Sequence, residues 1–395
     1  MMAAVRELGG NDRLIVLYGG NGNPNIFYLT GFAAPDPVIV TDNAGLITLW
    51  VTDIEYQNAK DLVKPGVVVR NILSEIDPFL VSGPYPTEMA SRRIAAIAHW
   101  NRVSKIIMDR DIPGITLDEV RSLGVDVLVS HGVYSYDRRF KTPAEIEQIA
   151  RAQNAGLAAM DEAIKIIKAA SIRRVSATSA ILYYQGKPLS GDYLVTVVES
   201  KLRSLGYRSP EGTIVCGAPE NHKPHCVTTP VLQAGKPIVL DIFPRDKKSR
   251  MWGDVTRTVV RGKPQPEVTR MYNAVLEAQT IALSMAKPGT TCADIHRAVC
   301  ETFKRHGYGS VFPGYRNIRS TARFITGTGH GVGLELREDP RIDSGETRRL
   351  AAGDVITIEP GLYDPKFGGI RIEDTIAITR TGFRQLTPYP KTLVV

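Results

Sequence analysis

The chain has few cysteines and no long apolar runs. The cysteines show neither CxxC spacing nor an obvious pairing: Cys216, Cys226, Cys292 and Cys300. Because unpaired cysteines are typical of proteins in a reducing compartment, the cytoplasm is the expected location. No apolar stretch approaches the length needed to span a bilayer, so no membrane association is expected. Residues 1–10 also lack an apolar run and carry Arg6 and Glu7, so no signal peptide is expected.

Positive charge exceeds negative charge, with a formal net charge of +8, but it is not concentrated in one place. The basic residues occur as scattered doublets and in one loop at residues 245–250. No aromatic residues lie between them, as they would in a surface on which nucleic-acid bases stack. These residues are therefore expected on a solvated surface, and nucleic acid is not an expected partner.

The first third of the chain has the alternating pattern of an α/β domain. Short runs rich in Ile, Val and Leu predict strands at residues 13–18, 38–40, 46–51 and 105–108. Apolar residues at helical spacing predict helices at residues 54–63 and 87–99. Since 395 residues can bury a core in each of two domains, we expect an amino-terminal α/β domain over residues 1–140.

A second domain, of α+β class, is expected over residues 141–395. It begins with Thr142, Pro143 and Glu145, a capping pattern that predicts a long helix running toward Ala170. Further helices are predicted at residues 193–205, 268–286 and 293–306. Two hairpins are also predicted, one pairing residues 238–242 with 254–260 and one pairing 355–359 with 370–378.

Asp241 and Asp254 place charge on the first predicted hairpin. Asp241 interrupts an apolar strand, where a carboxylate is costly to bury unless it is paired or binds a metal. Asp254 begins the returning strand, so the hairpin would bring the two carboxylates side by side. The alternative for either residue alone is a turn aspartate with a salt bridge to Arg257.

His330 lies in a segment with glycine at every second position, from Gly327 to Gly333. On a strand, one face would then carry no side chains, so a substrate or a second chain could approach the backbone closely. A nucleotide-binding loop is rejected because the spacing is not GxGxxG and no helical pattern follows at once. Alone, His330 is as consistent with a structural histidine as with a metal ligand.

Glu359 and Glu373 complete the candidate set on the second predicted hairpin. Glu359 ends one strand, and Glu373 shares a strand face with Arg371, its alternative ion-pair partner. Four carboxylates would neutralise two divalent cations. Hard oxygen ligands with one imidazole suit Mn²⁺, Co²⁺ or Zn²⁺.

Together these segments resemble the pita-bread metallopeptidases (peptidase family M24), which include methionine aminopeptidase, aminopeptidase P and prolidase. Residues 25–32 and 141–152 resemble the prolidase and aminopeptidase P branch. The ligand contexts match in order: Leu-Asp, Gly-Asp-Val-Thr-Arg, Gly-His-Gly-Val-Gly, Ile-Glu-Pro-Gly and Arg-Ile-Glu-Asp-Thr. The resemblance implies a creatinase-like amino-terminal α/β domain followed by a pita-bread catalytic domain with antiparallel sheets flanked by helices.

The resemblance also implies roles for the five ligands. Asp241 would hold one metal, His330 and Glu359 the other, and Asp254 and Glu373 would bridge them. Two divalent ions per chain are expected, Mn²⁺ first, with Co²⁺ and Zn²⁺ as alternatives. A water shared by the metals would be the nucleophile, and Glu359 would act as general base and acid.

Three further residues are expected to act on the substrate. His225 matches the substrate-contacting histidine of the family, and Arg371 is also expected to contact substrate. Arg337 stands seven residues after His330, where the family usually has a second catalytic histidine. An arginine there could donate to a developing oxyanion or clasp a substrate carboxylate, but it cannot exchange a proton near neutral pH.

The implied activity is that of a metal-dependent exopeptidase cleaving Xaa-Pro bonds, either an aminopeptidase P or a prolidase. Short proline-containing peptides are the expected substrates, and a homodimer is the expected assembly. One alternative is a creatinase-like enzyme that cleaves a non-peptide C–N bond. Another is a binding scaffold without catalysis, which Arg337 and the net charge favour weakly. Retention of all five ligands argues against both.

Overall fold

The computed structural model describes residues 14–77, 81, 86–177, 179–316, 318 and 320–395. Residues 1–10, for which no signal peptide is expected, and Arg13 of the first predicted strand lie outside the described residues. The chain divides into an amino-terminal unit, Met1–Arg138, and a carboxy-terminal unit, Arg139–Val395. In the part of the chain that is described, no helix combines the length and apolar character needed to cross a membrane.

A mixed six-stranded sheet organises the amino-terminal unit. Its strands are β1 (Leu14–Gly19), β2 (Val38–Asn43), β3 (Leu46–Val51), β4 (Val68–Asn71), β5 (Lys105–Asp109) and β6 (Asp126–Ser130). Its helices are α1 (Pro24–Thr30), α2 (Asp53–Leu62), α3 (Ile72–Glu75), α4 (Pro86–Trp100) and α5 (Gly114–Ser122), with α6 (Ser135–Arg139) at the unit boundary. The strand order is β4-β3-β2-β1-β5-β6. Alternate residues of β1 pack into separate apolar clusters, because successive side chains of a strand point to opposite faces.

The carboxy-terminal unit begins with the predicted long helix. The helices are α7 (Pro143–Ala169), α8 (Gly191–Ser204), α9 (Pro266–Met285) and α10 (Cys292–Arg305). Thr142 and Glu145 form the predicted capping box of α7. Short strands fill the first part of the unit: β7 (Ser171–Arg174), β8 (Ala180–Tyr184), β9 (Lys187–Pro188), β10 (Tyr207–Arg208), β11 (Ile214–Gly217), β12 (Ile238–Ile242), β13 (Arg245–Asp246) and β14 (Val255–Val259).

The remaining strands form the second half of this unit. They are β15 (Gly309–Ser310), β16 (Arg323–Phe324), β17 (Gly329–Gly331), β18 (Glu338–Ile342), β19 (Val355–Ile358), β20 (Gly361–Asp364), β21 (Gly368–Arg371), β22 (Asp374–Ile378) and β23 (Phe383–Gln385). The antiparallel sheets β11-β12-β14 and β18-β17-β19-β22-β23 carry the candidate ligands. Helices α7 and α8 pack with the first, and α9 and α10 with the second, which is the expected arrangement of antiparallel sheets flanked by helices.

The first predicted hairpin is confirmed, and the second is wrong in its later strand. β12 pairs antiparallel with β14, with Asp241 opposite Thr256, two residues after Asp254. Residues 370–378 do not form one strand, because β21 pairs with β20 while β22 pairs with β19. Glu373 lies at the crossing between these sheets and donates its backbone N–H to the carbonyl of Thr256 at 3.0 Å. Arg371 and Glu373 therefore do not share a continuous strand face.

The glycine-lined face beside His330 packs against the chain itself. A Cβ on Gly329 would collide with the carbonyl oxygen of Thr357, and a Cβ on Gly331 with that of Asp339. The alternating glycines thus let neighbouring strands approach closely. The expectation that this face admits a substrate or a second chain is wrong.

The expectation that the cysteines lack a pairing is also wrong. Cys216, on β11, forms a disulfide with Cys226. The spacing carries no motif, and the pairing arises because the chain returns alongside β11, where the backbone N–H of Val215 donates to the carbonyl of Val227 at 2.9 Å. Cys292 and Cys300 are buried free thiols.

Candidate metal centre

Three of the predicted ligands converge on one point. The nearest ligand atoms of Asp254, His330 and Glu373 all lie within 4.8 Å of one another. Asp254 directly precedes β14, His330 is on β17, and Glu373 lies at the crossing from β21 to β22. Residues far apart in the chain meet here because the two antiparallel sheets abut.

Glu359 and Asp241 join this group. The Nε2 atom of His330 lies 3.1 Å from Oε1 of Glu359 and 3.6 Å from Oδ2 of Asp254. Asp241 is close enough that its charge raises the pKa of both Asp254 and Glu373. The structure therefore brings all five sequence-predicted ligands together.

Burial and mutual repulsion dominate the electrostatics of these carboxylates. Burial, and then the charge of Glu373, raises the pKa of Asp254 well above its usual range. Burial, and then the charge of Glu359, raises the pKa of Glu373 in the same way. Burial also opposes ionisation of Glu359, but its hydrogen bond to His330 and the charges of His330, Arg371 and Arg337 lower its pKa overall. Full ionisation of such a cluster is costly, and additional positive charge would offset that cost.

Two carboxylate oxygens indicate where a positively charged ion could bind. Oδ1 of Asp241 and Oε1 of Glu373 are buried and find no hydrogen-bond partner among the described residues. Leaving buried carboxylate oxygens unsatisfied is costly, and a coordinated cation removes the cost. His330 is oriented for the same purpose, since its Nδ1 lies 3.1 Å from the carbonyl of Gly331, which leaves Nε2 to face the carboxylates. The donor set fits divalent metal ions.

Arg257, the alternative ion-pair partner for the aspartates, is engaged elsewhere. Its Nη2 lies 2.8 Å from Oδ1 of Asp374, and both side chains are buried. Its other donors bond to backbone carbonyls, including that of Glu373. Asp254 is therefore not held by the ion pair that would have explained it without a metal.

Arg371 pairs with Asp241 and not with Glu373. Its guanidinium also donates to the hydroxyl of Tyr363 at 2.8 Å and to Oγ1 of Thr256 at 3.2 Å. Because only 4% of Arg371 is exposed, these contacts use its donors inside the chain. The substrate contact expected of Arg371 stays a prediction. Tyr363 belongs to this hydrogen-bond network, but no sequence pattern predicted its part in the site.

Buried polar side chains position the ligands, and sequence patterns did not single them out. Thr256 donates to Oε2 of Glu373 at 2.7 Å. Gln153 bonds to both the backbone N–H and the carbonyl of Asp254 at 2.8 Å. Gln279 donates at 3.2 Å to the carbonyls of residues 358 and 372, which immediately precede two ligands. The sequence feature that could have identified Gln153 and Gln279 is a glutamine on the otherwise apolar face of a helix, α7 and α9 respectively.

His225 and Arg337 are exposed, unlike the ligands. The side chain of neither makes a hydrogen bond or an ion pair within the described part of the chain. The charge of Arg337 lowers the pKa of Asp254 and Glu359, which places it within electrostatic reach of the cluster. His225 follows Pro224, whose carbonyl accepts a hydrogen bond from Arg371 at 3.3 Å. That contact brings the His225 loop toward the cluster.

The sequence model of metallopeptidase family M24 matches residues 147–380, which contain all five ligands. This chain belongs to metallopeptidase family M24. A relative at 28% identity is the Xaa-Pro dipeptidase of Pyrococcus furiosus, with 94% of this chain and 92% of the relative aligned. The match includes the amino-terminal unit, so the predicted resemblance to the prolidase and aminopeptidase P branch is confirmed.

Solved structures show the same fold. A prolidase from Pyrococcus furiosus superposes with a TM-score of 0.77 at 26% identity, covering 99% of this chain and 100% of that chain. An X-Pro aminopeptidase from Thermotoga maritima gives a TM-score of 0.74 at 23% identity, with 99% and 100% coverage. The second likeness concerns the fold alone. The predicted fold class, an α/β chain with a pita-bread domain, is confirmed.

A buried histidine supports the strand that carries His330. Nδ1 of His296, on α10, lies 2.9 Å from Oγ1 of Thr328, and the carbonyl of Thr328 accepts the backbone N–H of Glu359 at 2.7 Å. Phe312 and Phe324 surround the imidazole. Burial lowers the pKa of His296 to about 4, so the ring is neutral at pH 7.

This depressed pKa predicts an acid-sensitive contribution to stability. The unfolded state, with a histidine pKa of about 6.5, binds the proton that the folded state excludes, so stability falls as the pH drops from about 6.5 to about 4. His296→Gln keeps a hydrogen-bonding side chain without this titration. Between about pH 6.5 and about pH 4, the free energy of unfolding of the variant, measured by urea denaturation, should decrease by about 3 kcal/mol less than that of the wild type. Equal losses in both proteins would contradict the assignment.

Proposed function

We propose that this protein is a metal-dependent exopeptidase that hydrolyses Xaa-Pro bonds in short peptides. The observation that carries the proposal is the convergence of five ligands, with buried and unsatisfied oxygens on Asp241 and Glu373, in a chain of a metallopeptidase family. Curated relatives aligned over 94% of this chain are Xaa-Pro dipeptidases. We also propose that residues 141–395 form the catalytic domain and residues 1–140 the amino-terminal domain.

Two divalent ions per chain are proposed, Mn²⁺ first, with Co²⁺ or Zn²⁺ as alternatives. Asp241 would hold one ion, His330 and Glu359 the other, and Asp254 and Glu373 would be shared. In support, four carboxylates balance four positive charges, and burial and then neighbouring carboxylates raise the pKa of Asp254 and Glu373, an effect that bound cations would offset. The single imidazole and the absence of cysteine from the set favour these metals.

The bound ions would supply Lewis acidity, which lowers the pKa of water and polarises the scissile carbonyl. Glu359 would then accept the proton of the attacking water and pass it to the leaving nitrogen. It is the least buried of the five ligands, with 19% of its side chain exposed, and its lowered pKa keeps it ionised to receive that proton. Arg371 would hold Asp241 in its ligating orientation, as their buried ion pair indicates.

His225 and Arg337 are the proposed substrate contacts at the open side. Both have exposed side chains, whereas Arg371 is buried and its donors are taken. Arg337 would present a fixed positive charge to the oxyanion that develops from the scissile carbonyl. Its influence on Asp254 and Glu359 supports this position.

A homodimer is also proposed, from the family resemblance, and the cytoplasm is the proposed location. The cysteines do not support a cytoplasmic location, because a Cys216–Cys226 disulfide is not typical of a reducing compartment. Analytical ultracentrifugation decides the assembly.

A peptide panel tests the function. Purified protein loaded with Mn²⁺ should cleave Xaa-Pro dipeptides or Xaa-Pro-Xaa tripeptides and leave matched Xaa-Ala peptides intact. Activity should vanish on chelation and return with Mn²⁺ or Co²⁺. Asp254→Asn should lower kcat by at least about a hundredfold even when Mn²⁺ is in excess, because it removes a shared ligand. Liquid chromatography of the products measures each rate and separates dipeptidase from aminopeptidase activity.

Two results of this panel would contradict the proposal. The first is full activity in the chelated protein, which would remove the metal mechanism. The second is a metal-loaded protein that cleaves none of the peptides, which would favour a scaffold or another C–N bond.

The role of Arg337 has its own prediction. Arg337→Ala should lower kcat on Xaa-Pro substrates by about a hundredfold with little change in KM, since an oxyanion donor acts mainly in the transition state. Arg337→His keeps a hydrogen-bond donor, so its kcat should fall less than that of Arg337→Ala. A rise in KM at unchanged kcat would instead indicate a clasp on a substrate carboxylate. Higher activity of Arg337→His on every substrate would show that the arginine impairs the enzyme.

A further inference from the structure

The Cys216–Cys226 disulfide closes a loop, residues 217–225, that carries His225. The first half of this loop is fixed by a buried asparagine. Asn221 accepts the backbone N–H of Gly369 at 2.8 Å, and its amide donates to the carbonyls of Pro237 and Gly369 at 3.1 and 3.3 Å. Only 2% of Asn221 is exposed. The backbone up to residue 222 is therefore held without the disulfide.

The second half of the loop has weaker support. Cys226 donates its backbone N–H to the carbonyl of Lys223 at 3.0 Å, a contact within the loop itself. Toward the rest of the unit, the carbonyl of Pro224 accepts a hydrogen bond from Arg371 at 3.3 Å, and the side chain of Cys226 is bonded to Cys216. His225 stands between these two tethers, with its exposed imidazole making no hydrogen bond within the described part of the chain.

The disulfide is thus the covalent contact among those that hold the backbone on either side of His225. Cys216 is on β11, where Ile214 pairs with Asp241 of β12, so the anchor belongs to the same sheet as a metal ligand. The other tether, Arg371, is ion-paired to that ligand. Through these two contacts, the position of His225 is fixed relative to Asp241.

We propose that the Cys216–Cys226 disulfide is a positioning element for His225 and that its reduction weakens substrate binding. This inference depends on the proposed function, in which His225 contacts the peptide. Breaking the bond frees residues 223–226 but leaves the Asn221 contacts and the hydrogen bond from Val215 to Val227. The sheet and the metal ligands therefore keep their places, and the loss is confined to the orientation of His225.

The redox step involves an external thiol–disulfide couple. A small dithiol supplies two electrons and two protons, giving the thiols of Cys216 and Cys226 and a disulfide of the dithiol. The reverse exchange, with a small-molecule disulfide, restores the bond and releases two small thiols. Cys226 is a half-buried residue and Cys216 a buried one, so we expect attack at the sulfur of Cys226.

The first measurement is the thiol count of the whole protein. Alkylation after denaturation without reductant should label only Cys292 and Cys300, and prior reduction should expose all four cysteines. Four labelled thiols in aerobically purified protein that has also been treated with a small-molecule disulfide would overturn the proposal.

The second measurement is kinetic. The double variant Cys216→Ser with Cys226→Ser, loaded with Mn²⁺, should show KM for an Xaa-Pro peptide raised about tenfold with kcat changed less, because misplacement of a binding group costs affinity. Treating wild type with a phosphine reductant should give the same shift, and the double variant under the same treatment is the control. Mn²⁺ affinity, measured by calorimetry, should be unchanged.

A double-mutant cycle separates positioning from a structural role. In a His225→Ala background, removing the disulfide should cause no further rise in KM. A full additional rise there, or an equal KM with and without the disulfide in wild type, would overturn the proposal.

Hydrogen exchange distinguishes this inference from the proposed function. Reduction should speed exchange at the amides of Lys223, His225 and Cys226 while residues 238–242 stay protected. If no Xaa-Pro peptide is cleaved, the function fails, but the exchange data still decide whether the disulfide holds His225. Unchanged exchange at all three amides would overturn it.

Discussion

Repulsion among buried carboxylates is the constraint on which the carboxy-terminal unit depends. Asp254 and Glu373 are almost fully buried and lie at one point with His330. Burial first, and then the charges of neighbouring carboxylates that include Asp241 and Glu359, raise the pKa of both. A protein gains nothing by collecting like charges in its interior unless a cation joins them. Of the two basic groups nearest in sequence, Arg257 pairs with Asp374, outside the cluster, and Arg371 pairs with Asp241, one of its members.

The surrounding fold holds these carboxylates in place against that repulsion. Three of the five predicted ligands, Asp254, Glu359 and Glu373, or the backbone next to them, are fixed by neutral polar side chains from other elements. Gln153 on α7 holds the backbone of Asp254, Gln279 on α9 holds the carbonyls before Glu359 and Glu373, and Thr256 holds the carboxylate of Glu373. Neutral donors can do this without neutralising the charge that a metal requires. The helices therefore contribute to the site as well as to the core.

Local sequence predicted the main helices, several strands and the candidate ligands but not how the strands divide among the sheets. The capping box of α7 and the β12–β14 hairpin depend on contacts between near neighbours, so they were visible in the sequence. The crossing at Glu373 was not visible, because it is set by a backbone bond to Thr256, more than a hundred residues away. The disulfide, the glycine packing beside His330 and the contact of Arg371 with Tyr363 span fewer residues, but they depend on how the strands and loops fold back on each other, which no local pattern shows.

Anomalous diffraction from crystals of the protein soaked in Mn²⁺ tests the central claim most directly. The account predicts two manganese peaks within the five ligands, with Asp254 and Glu373 contacting both ions and Arg371 still paired with Asp241. Absence of a peak at this cluster, with its carboxylates held instead by protein donors, would contradict it.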